Sequence, residues 1–225
     1  MAIFSRMLLV LLLGCCLLQS AKAQFNTKTG YIINWVSPSA YNDFLNDFNG
    51  QRDWLDDTFN DLNRLQALTL GGRYQVGNFA GELSAIYGFG NTTADGVDPA
   101  NSLRFFRRLF YRRIGASFGV ENFLGDYFSF GLQVQWERFS TRISERSNGN
   151  KTQLIGTDLW SNQIFVAFNT PKSKFLSLSL RPFVQMYWKD LDFSPIYTAL
   201  GGDAGGDGKE DLFSFGIQLI FYNGR

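Results

Sequence analysis

The sequence predicts an all-β fold: eight antiparallel strands in an up-and-down meander, closed into a transmembrane barrel with long extracellular loops and short periplasmic turns. Three observations predict it. Apolar and polar residues alternate with period two in eight stretches, the connections alternate long and short, and the polar face of the strands is mostly small and uncharged.

In chain order the strands are expected near 28–36, 66–76, 79–90, 103–121, 127–142, 152–168, 175–189 and 212–222. The third sets Phe79, Leu83, Ala85, Tyr87 and Phe89 against Ala80, Glu82, Ser84 and Gly88. The fifth sets Phe128, Phe130, Leu132, Val134 and Trp136 against Ser129, Gly131, Gln133 and Gln135. The seventh has Leu176, Leu178, Leu180, Val184, Met186 and Trp188 on one face, with Ser177, Ser179, Arg181 and Gln185 on the other. The last alternates Phe213, Phe215, Ile217, Leu219 and Phe221 with Ser214, Gly216 and Gln218. Helical periodicity occurs in one place only, residues 39–65.

The connections are a long loop at 37–65, the two-residue turn Gly77-Asn78, a medium loop at 91–102 and a short turn around Asn122–Asp126. A charged loop at 143–151, a short link at 169–173 and a long Gly/Asp loop at 190–211 complete the series. This alternation gathers the long loops at one end of the meander and both termini at the other. It is the pattern of an outer-membrane barrel with short periplasmic turns.

A soluble barrel is apolar inside and wet outside, and a membrane barrel reverses this. Ser, Gly, Ala and Gln suit the narrow lumen of an eight-stranded barrel, which side chains just fill. The bulky aliphatic and aromatic residues then face lipid. Pairing outward from Gly77-Asn78 sets Arg73 opposite Glu82 on the inward face, so an interior ion pair between them is expected. Arg113, Glu137, Arg181 and Lys189 share the inward parity, and charges in a drained lumen need partners. Tyr31, Trp35, Tyr74, Phe79, Tyr87, Phe89, Trp136, Trp160, Tyr187 and Trp188 are placed at the interfacial girdles.

Residues 1–23 read as a secretory signal peptide: Arg6, an apolar core over 7–18, and the Ala21-Lys22-Ala23 cleavage site. A lipoprotein signal ending at Cys15 is the alternative, since Leu12-Leu13-Gly14-Cys15 resembles a lipobox. Removing 1–23 takes away both cysteines, which leaves residues 24–225 without disulfide or thiolate chemistry. Loss of Arg6 and Lys22 from 21 basic residues leaves 19 against 20 acidic ones, a balance that gives no case for nucleic acid.

The leader, the eight strands, the loop asymmetry and the terminal FSFGIQLIFYNGR resemble the small outer-membrane barrels of the OmpX, OmpA-barrel and OmpW kind. The loops resemble those of Bacteroidota barrel proteins. The resemblance is architectural and rests on no sharp motif. It implies that the barrel-assembly machinery reads Phe213, Phe215, Ile217, Leu219 and Phe221 as a C-terminal assembly signal. The chain departs from that pattern by running on through Tyr222 to Arg225.

Chemistry is sparse. There is no histidine, which removes the usual base of barrel-borne hydrolases and acyltransferases, and no G-x-S-x-G motif. No enzyme, cofactor or metal is expected. In the loop 201–211, Asp203, Asp207, Glu210 and Asp211 are hard oxygen donors, but their spacing does not match a calcium loop. Loop 37–65 reads as two short amphipathic helices over the barrel mouth, with Pro38 at the first helical position. Its aspartates 43, 47, 53, 56, 57 and 61 would form an acidic outer face.

The run RFFRRLFYRRIG at 104–115 cannot lie at the bilayer middle, because a lipid-facing Arg there costs roughly 2–4 kcal/mol. Counting up from the 122–126 turn puts Arg112 at the outer interface, with Arg108 and Arg104 above it. Arg138 and Arg142 stand beside them on the next strand, making a basic strip suited to lipopolysaccharide phosphates. The expected partners are therefore outer-membrane lipid, lipopolysaccharide and the assembly machinery, with the chain a monomer. The expected role is envelope structure, adhesion or surface interaction through the loops. An OmpW-like conduit or binding site for a small hydrophobic molecule is the alternative.

Overall fold

The computed structural model describes residues 23–146, 149–171, 176–202 and 208–223. The expected signal peptide, apart from Ala23, and with it Cys15, lies outside the described residues. Strand β1 (Ala23–Val36) is followed by helix α1 (Ser39–Gly50) and a short strand β2 (Leu55–Asp57). Then come β3 (Arg64–Val76), β4 (Phe79–Asp98), β5 (Leu103–Phe123), β6 (Phe128–Ser144), β7 (Lys151–Asn169) and β8 (Leu176–Tyr187). Strand β9 (Leu191–Asp192), helix α2 (Ser194–Ala199) and β10 (Lys209–Glu210) lead into β11 (Ser214–Asn223).

Each long strand pairs antiparallel with its neighbours, and β1 pairs with both β3 and β11, so β1, β3–β8 and β11 close into a barrel. No backbone edge is left along the cylinder, the condition for spanning a layer without water. The expected meander is observed. Pro182 sits in β8, and the β7–β8 ladder is interrupted there, between Phe165↔Phe183 and Phe168↔Leu180, because proline has no N–H to donate.

Orientation follows parity. Leu176, Leu180, Val184, Met186 and Trp188 are exposed on the outside, as are Phe213, Phe215, Ile217 and Phe221. Between them Ser179, Arg181, Gln185, Ser214 and Gln218 are buried inside. An exterior of Leu, Phe, Val and Trp around a polar interior is the arrangement of a barrel solvated by hydrocarbon.

Large inward side chains need gaps opposite them. Phe165 and Phe183 turn into the lumen, and Gly131 and Gly216 make room. A Cβ on either glycine would stand 2.3 Å from the facing ring's Cζ. A methyl group there collides with a packed ring and with backbone.

The medium loop expected at 91–102 is corrected: β4 and β5 run on as a hairpin to Asp98↔Leu103. The polar run Asn-Thr-Thr-Ala-Asp-Gly-Val-Asp lacks bulky residues because this part stands above the apolar belt. Thr92, Ala94 and Gly96 still point inward and are buried. The turn holds Ser102 at φ 56, with its N–H donated to Asp98 O at 2.8 Å.

Candidate functional site

The long-loop end is capped. In α1, Tyr41, Leu45 and Phe48 share one face at helical spacing and are buried, while Asp43 and Asp47 are exposed on the other. The second expected helix is corrected. Leu55–Asp57 forms β2, which adds to the edge of β4 through Leu55↔Gly96 and Asp57↔Asp95. After it, Phe59 and Leu62 plug into the cap. Asn49 fixes this return by accepting from Phe59 N at 3.1 Å and donating to Phe59 O at 2.9 Å. All six aspartates of the loop are exposed, so the acidic outer face is present.

Pro38 is the N-cap residue, one place before the expected position, and has no side-chain acceptor to offer. Glu210 of β10 supplies it: its carboxylate accepts from Tyr41 N at 3.0 Å. The free N–H groups of a helix start need such an acceptor. This redefines Glu210, considered above as a calcium donor, as a helix cap reaching across from another loop. Asp211 accepts from Phe213 N at 3.0 Å in a local turn. Asp203 and Asp207 lie outside the described residues.

Loop 190–211 contains a second helix that its sequence did not announce. Six residues are too few to show a period, although Ser194-Pro195 is a helix-start signal. Ile196, Tyr197, Phe193 and Leu200 join Tyr41, Leu45, Leu109, Phe139 and Leu159 in one apolar core above the lumen. Tyr41 stacks on Phe193 at 4.3 Å between ring centroids, and its hydroxyl meets that of Tyr111 at 2.6 Å. Burial pushes the Tyr41 phenol well above its ordinary value, and the neighbouring Tyr111 adds to this. Tyr197 is pushed up to about 12 by burial and by the Glu210 and Asp192 carboxylates. The mouth is closed by packing of the kind found in a protein core.

Below the cap the lumen holds two charged clusters. In the upper one Arg113 donates to Glu137 at 3.0 and 2.7 Å, Tyr187 donates to Glu137 at 2.9 Å, and Gln135 donates to it at 2.6 Å. Tyr187, expected at a girdle, is therefore an inward partner. Lys189, expected to point inward, lies beyond the end of β8 and is exposed.

The lower cluster is built around Arg181, which is fully buried. It grips Glu82 with two hydrogen bonds of 2.8 Å and reaches Glu121 at 2.7 Å. Lys28 also binds Glu82 at 2.8 Å, and Tyr222 donates to it at 2.5 Å. Arg73 and Glu82 are register partners, as expected. The expected ion pair between them is corrected, however: Glu82 is bound by Lys28 and Arg181, and Arg73 approaches Glu121 at 3.9 Å. Cross-lumen neighbours compete with cross-strand ones in a barrel this narrow, and Arg181 and Lys28 reach the carboxylate first. Lys28 and Glu121 were legible only by extending the parity of their strands to the ends.

Outside, the four arginines of the expected strip share one face of β5 and β6. Arg112 faces Ser140, Phe110 faces Arg142 and Ile114 faces Arg138, all on the outer face, with Arg108 above. Below lie Trp136, Trp160 and Trp188, the last two stacked at 5.7 Å. Arg108 donates to Thr93 at 2.9 Å, and Arg138 stands opposite Asp158. Phe213, just before β11, and Phe215, Ile217, Leu219 and Phe221 along it alternate outward, whereas Tyr222 turns inward to the lower cluster.

No protein-family model matches the chain, and no curated protein matches it. Among solved structures it is similar to Neisserial surface protein A, with 9% identity, 90% of this chain and 99% of that one covered, and TM-score 0.46. It is also similar to Ail, the attachment invasion locus protein of Yersinia pestis, in two structures. The one in complex with the heparin analogue sucrose octasulfate has 11% identity, covers 90% of this chain and 97% of that one, and has TM-score 0.43. The other has 12% identity, covers 89% and 96%, and has TM-score 0.42.

Proposed function

We propose that the chain is a non-enzymatic integral barrel of a bacterial outer membrane, acting in envelope structure, adhesion or surface interaction through its capped long-loop end. One observation carries this reading: the mouth is sealed by an apolar core under an acidic, exposed surface, while the lumen is filled by buried side chains. A filled barrel passes little, and a rigid cap offers a preformed surface. The basic strip of Arg108, Arg112, Arg138 and Arg142 would anchor the barrel to lipopolysaccharide phosphates, with tryptophans at the edge of the hydrocarbon.

The alternative, a binding site for a small hydrophobic molecule, is favoured by one feature. Above Gln66↔Phe89 the ladder between β3 and β4 ends, and a groove of about 510 Å³ lies there, in which Trp35, Phe89 and Tyr111 stand among the polar Asn60, Asp61, Arg64 and Gln66. Planar-bilayer conductance together with heat-modifiable gel mobility of the outer-membrane fraction tests the main reading. A compact band in that fraction and no steady conductance are expected. Steady large conductance, or a chain absent from that fraction, would overturn it.

A further inference from the structure

Among the described residues the lower cluster does not balance. Lys28, Arg73 and Arg181 bring three positive charges, and Glu82 and Glu121 bring two negative ones. Glu82 is saturated by Lys28, Arg181 and Tyr222, and Glu121 by Arg181 and Ser129, so the surplus falls on Arg73. The Arg73 side chain is 7% exposed. Its guanidinium lies 3.6 Å over the Tyr222 ring, and its Nε has no hydrogen-bond partner among the described residues. A buried guanidinium with a bare N–H, whose nearest carboxylate stands at 3.9 Å and is already bound by Arg181, is costly unless something else satisfies it.

Beside it is a cavity of about 110 Å³ at the short-turn end of the lumen. Arg73, Gln75, Phe123, Asn169 and Tyr222 line it, and the turn residues Gly77, Asn78, Gly125 and Asp126 form its rim. That is room for several waters or one tetrahedral oxyanion. Gln75 also has a buried Oε1 without a partner, while its Nε2 donates to Gly77 O at 2.9 Å. Asp126 is exposed, so solvent screens its charge.

We propose that this cavity binds one phosphate-sized oxyanion, entering from the short-turn end and held by Arg73. The anion neutralises the surplus charge, and the planar fork of the guanidinium suits two of its oxygens. The source is a free ion or the phosphate of a lipid headgroup reaching over the turns. This site lies at the opposite end from the cap and does not depend on what the cap binds.

The test uses the full barrel, purified in a nonionic detergent, with inorganic phosphate followed by calorimetry and phosphorus NMR. Saturable binding of one phosphate is expected. Arg73→Gln and Gln75→Glu should each weaken it at least about tenfold, the loss of one charge-assisted hydrogen bond or more, while Lys189→Ala, exposed at the opposite end, leaves it unchanged. Heat-modifiable mobility verifies that each variant folds. If Arg73→Gln does not fold, Gln75→Glu decides, because its carboxylate would occupy Arg73 in place of phosphate. A second arm places the barrel in nanodiscs of neutral or of anionic phospholipid. Loss of phosphate binding only in the anionic discs would assign the site to a headgroup, and equal binding in both would assign it to the free ion. No saturable binding by the parent protein, or equal binding by both variants, would overturn the proposal.

Discussion

Arg181 and Glu82 meet across the lumen through two hydrogen bonds of 2.8 Å, between strands 99 residues apart in sequence. The pair ties β8 to β4, which share no ladder, and it lies where water is scarce. Such a bond works as a cross-brace inside the cylinder.

Removing one member should cost far more than removing both. Arg181→Leu takes away the bidentate partner of Glu82, leaving it to Lys28 and Tyr222, and the 2.7 Å partner of Glu121, and breaking a buried ion pair costs about 3–5 kcal/mol. The double variant Arg181→Leu, Glu82→Leu should recover much of that loss, though Lys28 then loses its partner. Urea unfolding in micelles, followed by tryptophan fluorescence, measures both. Equal losses in single and double variants would deny the brace.

The cap should fail separately from the barrel. Leu45 is fully buried among Tyr41 and its neighbours, and Leu45→Ala should cost the cap about 2–5 kcal/mol. Limited proteolysis should then cut within 37–65 while the gel mobility of the folded barrel is kept. Cutting at the same rate as in the parent would show that the cap does not depend on this packing.

Alkali should loosen the cap first. Tyr41 and Tyr197 hold their protons in the fold more tightly than in an unfolded chain, where a phenol titrates near about 10. The unfolded state then loses protons first as pH rises. Their contribution is therefore complete below about 10 and declines as pH climbs through Tyr197's value of about 12. Protease sensitivity of 37–65 should rise across this range, and less so in Tyr41→Phe. A cap equally resistant at both ends of it would contradict this.

Gly131 should resist even a methyl group. Its Cβ would lie 2.5 Å from Val120 O as well as against Phe165, and backbone cannot give way cheaply. Gly131→Ala is expected to cost about 1–3 kcal/mol, and the pair Gly131→Ala, Phe165→Leu less. Unfolding midpoints compare them, and an unaltered midpoint for Gly131→Ala would mean the wall relaxes there.

The basic strip predicts lipid content. Arg112→Ala with Arg138→Ala should lower the lipopolysaccharide that co-purifies with the barrel. Lipid content equal to the parent's would remove the strip from the proposed function.

Much of this molecule was present in its residue order. Period two assigned every side chain of Phe128–Trp136 and Phe213–Phe221 to its face, because a strand in a closed sheet has only two faces and no freedom to rotate between them. It also placed Arg108, Arg112, Arg138 and Arg142 together outside, since register follows from turn length. Which carboxylate each inward cation binds was decided only by closure. Arg181 finds Glu82 because the cylinder brings β8 across from β4, a distance that no local pattern encodes. A helical cover from 37–65 was legible, but its packing was hidden for the same reason: Tyr41, Phe193 and Tyr111 come from three separated segments, and they meet only once the wall has gathered the loops at one end.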